Sequence, residues 1–175
     1  GSGILVYLKN LTAETPPVSL RFEHCLVRGG KDCGIGIGAI TDNGPKGEIV
    51  FDTCVIESPA KAGAYIYDKS AAATAVRFVN CQWNDTWAKR RAGDAPILMH
   101  FRNPEVVKDF GGIFFEDCHV YDTRKHPAAK LERGDEAFVP RDITGTLYVH
   151  NPNAEALDFG ANTQNITLEA KASRQ

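Results

Sequence analysis

Apolar residues alternate with polar ones at four places along the chain: Leu20 and Phe22, Ile49 and Phe51, Val76 and Phe78, Ile113 and Phe115. A period of two predicts strands with one face buried and the other in solvent. Each pair opens a related octet, LRFEHCLV, IVFDTCVI, VRFVNCQW or IFFEDCHV, in which Cys follows Phe by three residues. With this many Phe and Cys, F-x-x-C is expected by chance only about 0.3 times, so its fourfold occurrence marks an internal repeat. Cys25, Cys54, Cys81 and Cys118 are separated by 29, 27 and 37 residues, a period near thirty with elastic loops.

A second element precedes each octet: GILVYLKN at 3–10, GIGIGAIT at 34–41, GAYIYDKS at 63–70 and PILMHFRN at 96–103. Weaker continuations, EAFVPRD with TLYVHNP and ALDFGA with NITLEA, bring the count to about six units. No helical period separates the strands. Short strands in units of this length pair with their counterparts one unit later, which predicts a parallel solenoid with Phe and Cys stacked inside. Residues 1–175 are read as one domain, although the opening GSG has the composition of a cloning scar.

The apolar-x-Phe-x-x-Cys-x-apolar run with its Gly-led strand resembles the right-handed parallel β-helix superfamily, which includes pectate-lyase-like and related polysaccharide-active proteins. The resemblance spans nearly the whole chain and implies an all-β fold, a right-handed parallel β-helix of about six coils. It speaks weakly to function, because the motif residues are core residues. The polar residue before each Cys (His24, Thr53, Asn80, Asp117) suits a tight bend between two strands, so His24 and Asp117 are read as turn residues rather than catalytic ones. The chain starts directly in a strand with no capping helix. That predicts a module taken from a longer protein, or an end that packs on a partner. The polar tail EAKASRQ suits an end in solvent.

Charge and cysteine usage narrow the classes. The net charge of −2 gives no reason to expect nucleic acid, and no apolar run reaches the roughly 18 residues of a membrane span. Four of the five cysteines sit in one slot of the octet, which argues for reduced thiols used as small core fillers, with bridges or a metal as the alternative. Cys33 stands outside that slot.

Ligands must then use outward columns and loops. Alternation in the Gly-led strand places Tyr7, Gly38, Tyr67 and His100 in one outward column, Lys9, Ile40, Lys69 and Arg102 in a second, and Leu5, Gly36, Tyr65 and Leu98 in a third. Tyr65, Tyr67, Lys69, His100 and Arg102 form the candidate patch: aromatic faces stack on sugar C–H faces, while cationic and imidazole donors bind hydroxyls or carboxylates. Two long loops, NDTWAKRRAGDA and YDTRKHPAAKLERGDE, add a wall. Trp87 and Arg90 come from the first, with Tyr121 and Arg124 of second rank from the other. Trp87 is either an exposed glycan platform or the centre of a small satellite core under its own loop, whereas Trp83 shares the column of Val27, Ile56 and Val120 and is expected to be buried.

Glu23 and Asp52 fall one coil apart on the outward face, a spacing that suits a retaining glycosidase. They lack a flanking aromatic or His and have Arg21 and Arg77 beside them, so a surface charge ladder is the preferred reading. No run has the oxygen-ligand spacing of a calcium loop, Asp42, Asp68 and Asp85 are scattered, and neither G-x-S-x-G nor HExxH occurs. Calcium elsewhere stays open, and no other cofactor is expected. Polysaccharide-cleaving members of the superfamily generally have longer solenoids. The resemblance therefore implies one of its noncatalytic carbohydrate-binding modules, recognising a plant cell-wall polysaccharide such as xylan. Such a module would be secreted or periplasmic, of bacterial type, and joined to a catalytic domain in the same polypeptide. A lyase or hydrolase fragment acting on a uronate polymer, and a structural spacer, are the alternatives. The oligomeric state is not legible.

Overall fold

A computed structural model of the chain describes residues 1–87, 95–122, 126–133, 140–150 and 165–170. The first coil contains β1 (Ile4–Tyr7), β2 (Val18–Glu23) and β3 (Leu26–Arg28). The second contains β4 (Ile35–Ile40), β5 (Gly47–Asp52) and β6 (Val55–Glu57), and the third β7 (Ala64–Lys69), β8 (Ala75–Val79) and β9 (Gln82–Asn84). The fourth contains β10 (Ile97–Phe101) and the long β11 (Gly111–Val120); β12 (Ala129–Arg133), β13 (Arg141–Val149) and β14 (Asn165–Ala170) follow. Among the described residues there is no helix.

Every pairing between these strands is parallel, and each joins a strand to its counterpart one unit later. One sheet runs β1-β4-β7-β10-β12. The other runs β2-β5-β8-β11 and returns through β9-β6-β3, because β11 pairs with β8 along its first half and with β9 along its second. The fold is a parallel β-solenoid of about four turns, fewer than the six units read from the repeat. The last units add rungs to the sheets without a complete described coil.

The octet explains the interior. Phe22, Phe51, Phe78 and Phe115 stack with centroid separations of 4.8, 5.2 and 5.4 Å and planes within 14° of parallel. Beside them the thiols of Cys54, Cys81 and Cys118 donate to the carbonyls of Phe22, Phe51 and Phe78 on the preceding coil. All five thiols are free. Trp83 is fully buried and meets Phe78 and Phe115 edge-on. The glycine that leads each of the first three strands of the first sheet has a steric cause: a Cβ on Gly3, Gly34 or Gly63 would lie within 2.3 Å of Val27, Ile56 or Trp83.

The bend is the other constant. His24, Thr53, Asn80 and Asp117 all adopt left-handed backbone, with φ between 48° and 54°. Each left-handed residue turns the chain so that Phe and the following Cys both face inward across an interval of three residues. In β13 the slot disappears: Phe115 pairs with Gly145 and Cys118 with Leu147, so two intervening residues of β11 oppose one of β13. That register shift is where the F-x-x-C signature ends.

Asn tolerates left-handed backbone far better than a β-branched residue does. Thr53 is solvent-exposed, so Thr53→Asn should raise unfolding stability by about 1 kcal/mol, and Asn80→Thr should lower it by a similar amount, in urea denaturation. Indifference at both positions would show that the bend is not under this constraint.

Candidate ligand-binding face of the first sheet

The outward columns of the first sheet follow from its register. Leu5, Gly36, Tyr65, Leu98 and Lys130 align on successive rungs, and so do Tyr7, Gly38, Tyr67, His100 and Glu132. The first four members of each are the columns read from alternation. Strand spacing in a sheet is about 4.8 Å, which brings side chains on neighbouring rungs into contact. Tyr65 and Tyr67 lie 5.4 Å apart at 28°, and Tyr7 lies 6.3 Å from Tyr67. Tyr65 Oη is 3.1 Å from His100 Nδ1, and Glu132 stands 4.0 Å from the same nitrogen. Burial pulls His100 below its ordinary value. It pushes the phenols of Tyr65 and Tyr67 up.

Tyr67 covers Gly38: a Cβ there would lie 2.1 Å from the ring. The Arg102 guanidinium sits 4.0 Å from the centre of the same ring. Its orientation is fixed from below by Asp68, whose carboxylate accepts from Arg102 Nε and Nη2 at 3.2 and 3.0 Å and from the backbone N–H groups of Arg102 and Asn103. Asp68 is 7% exposed.

Lys69 requires a correction. It was expected beside Arg102 on the outer face, and it does pair with Ile40 in register, but it is fully buried. The cause is a phase change in the strand. Ala39 and Asp68 are left-handed, at φ 54° and 44°, so the next residue of each rung, Ile40 or Lys69, turns inward instead of outward. Inside, the Lys69 ammonium donates to the carbonyls of Ser70 and Gly111. It belongs to the interior and is removed from the candidate face.

Trp87 resolves between its two readings. It is 7% exposed, donates from Nε1 to the carbonyl of Ala95 at 2.8 Å, and packs with Cys33, Ala62 and Leu98, against which Tyr65 also rests. It is the satellite core under its own loop and not an open platform. Arg90 and Arg124 lie outside the described residues. Tyr121 is exposed but lies on another strip, continuing β9 and β11. There it stacks on His150 at 4.1 Å and on His119 at 6.0 Å, with Tyr148 beyond. His119 occupies the outward octet column of Leu26, Val55 and Gln82, so this aromatic array was legible from the repeat but was not read. The loops on that side are tied by Thr86, Asp122 and His126, all buried, with Asp122 accepting from Thr86 and 3.1 Å from His126 Nε2.

Two clefts flank Tyr67. The first, about 440 Å³, is lined by Tyr7, Lys9, Asn10, Asn43, Arg102 and other residues of the strand ends. The second, about 450 Å³, lies over Gly36 between Leu5, Tyr65, Leu98, Trp87 and Glu132. On the other sheet Glu23 and Asp52 pair in register as expected, with Arg21 bonded to both carboxylates and Arg77 3.4 Å from Glu48. This is a charge ladder along the surface. Among the described residues no three His, Cys, Asp or Glu side chains are grouped to hold a metal.

Comparison with protein-family models, with curated proteins and with solved structures found no match.

The interior lysine makes a pH prediction. Burial pulls Lys69 down to about 7, while in the unfolded chain it titrates near 10.5. Between pH 7 and about 9 the unfolded chain therefore holds a proton that the folded one lacks, and stability should rise by at most about 1 kcal/mol per pH unit. Above about pH 9 the sign reverses. The Cys81 thiol, raised by its hydrogen bond with Cys118, and the Cys33 thiol, raised by burial, both stand at about 12 when folded and ionise first in the unfolded chain. Lys69→Met should flatten the rise in denaturation midpoints between pH 7 and 9. Parallel profiles for the two proteins would contradict the assignment.

Proposed function

We propose that the chain is a noncatalytic carbohydrate-binding module that recognises a plant cell-wall polysaccharide, xylan-like in its backbone, through the outward face of the first sheet. The observation that carries this reading is the ridge of Tyr65 and Tyr67, reaching toward Tyr7, with an open cleft on either side. Tyr7 is 48% exposed and Leu5 63%, so apolar surface is available beside hydroxyl and amide groups. Sugar rings need that combination, an apolar C–H face resting on an aromatic or aliphatic surface and hydrogen bonds at the rim.

The resemblance of the repeat to pectate-lyase-like β-helices supports the same class of ligand. In that setting the module belongs to a secreted or periplasmic bacterial enzyme, and its role is to raise the local concentration of an attached catalytic domain at the polymer. The hydrolase or lyase alternative rests on Glu23 and Asp52. Both carboxylates are engaged by Arg21, and neither lines the clefts described above.

Affinity electrophoresis in gels containing xylan, homogalacturonan, alginate or β-glucan, with release of reducing ends assayed on the same polymers, tests the reading. Retardation without new ends is expected. Tyr65→Ala and Tyr7→Ala should each weaken retention by roughly three- to tenfold, and Glu23→Gln should leave it unchanged. New reducing ends that vanish with Asp52→Asn would overturn the proposal in favour of an enzyme. Free migration in every gel would leave a structural spacer.

A further inference from the structure

We infer that the two clefts differ in the charge they accept: the cleft beside Lys9 and Arg102 binds a carboxylate, so the favoured ligand is a polysaccharide bearing uronic acid groups. The inference rests on the carbohydrate-binding reading above and narrows its substrate class.

The charged groups lining the first cleft are Lys9, Asp68 and Arg102. Asp68 is 7% exposed and is committed to Arg102 and to the backbone N–H groups of Arg102 and Asn103. The pair also holds the guanidinium against the ring of Tyr67. Arg102 spends Nε and one Nη2 donor on Asp68, and its side chain is 43% exposed. Lys9 is exposed and makes no ion pair among the described residues. The cleft therefore carries one unmatched positive charge, beside a fixed planar donor and the amides of Asn10 and Asn43. A planar cation with a second ammonium nearby matches the geometry of a carboxylate.

In the second cleft the charges are matched. Asp32 and Lys61 are paired at 2.8 Å, and Glu132 is paired with Lys130 at 3.6 Å. Its floor is apolar, from Leu5, Gly36 and Leu98. It suits a neutral sugar ring and offers an acid no unmatched cation. A neutral backbone residue on one side of Tyr67 with an acidic substituent on the other satisfies both clefts at once.

The test compares retention by glucuronoxylan with retention by the same polymer after chemical reduction of its carboxyl groups, and includes dextran sulfate as a polyanion without sugar-acid geometry. The wild-type chain should bind the acidic polymer about fivefold more tightly than the reduced one, and Lys9→Met should abolish that difference while keeping retention by the reduced polymer. Equal retention of both polymers by the wild type would overturn the inference and leave the binding-module reading intact. Retention by dextran sulfate as strong as by glucuronoxylan would also overturn it, since a patch that only exchanges anions would do the same. Absence of retention by either xylan would remove the inference, and absence across all polymers would remove the reading it rests on.

Discussion

In-register stacking of like residues on successive parallel rungs is the interaction on which the rest of this structure depends. Through the first four coils each presents the next with a like surface, so a Phe meets a Phe, a thiol meets the carbonyl of the coil before it, and in the first three a glycine leaves room for the aliphatic or aromatic residue that leans over it. Near-parallel aromatic pairs are favourable beyond the apolar area they bury, and the repeat multiplies a modest pairwise gain. The outward columns inherit the same register. Tyr7, Tyr67 and His100 are neighbours because the Phe and Cys ladders beneath them allow no slip.

Left-handed residues convert that uniform ladder into a shaped surface. In the octet they let both Phe and Cys face inward. In the first sheet the left-handed Asp68 sends Lys69 into the interior and puts a carboxylate under Arg102, so one backbone feature removes a cation from the face and immobilises another. A guanidinium held by a buried carboxylate and a ring loses little further freedom when it meets a ligand. The interior lysine is tolerated because its ammonium has two backbone carbonyls to donate to, and its lowered basicity reflects the remaining cost of burying charge.

Much of the architecture was legible because it repeats. The pairing of Val76 with Ile49 and Ile113, and the columns through Tyr67 and Tyr65, need only a period of two and a unit near thirty residues. What was not legible was local. Nothing in the alternation of GAYIYDKS marks Asp68 as left-handed, and an Asp in that state reverses the phase for every later residue of the rung, which is why Lys69 was assigned to the wrong side. Trp87 sits among charged neighbours in sequence, and its burial depends on Cys33, Ala62 and Leu98 from other coils. The fading of the repeat after β11 has its cause in the loss of the bend slot in β13, which also made the number of complete turns hard to count.

Two aromatic surfaces compete for the role of binding face: the first sheet with Tyr7, Tyr65 and Tyr67, and the strip with His119, Tyr121, Tyr148 and His150. In the second, Tyr121 and His150 lie 4.1 Å apart at 13°, closer than Tyr65 and Tyr67 at 5.4 Å, so that pair covers more of the faces that a sugar would use. Hydroxyl-radical footprinting of the chain, with and without the polymer that retards it most, distinguishes the two directly. The account predicts protection of Leu5, Tyr7 and Tyr65 with Tyr121 and Tyr148 unchanged. Protection of Tyr121 and Tyr148 with Tyr7 and Tyr65 unchanged would contradict it.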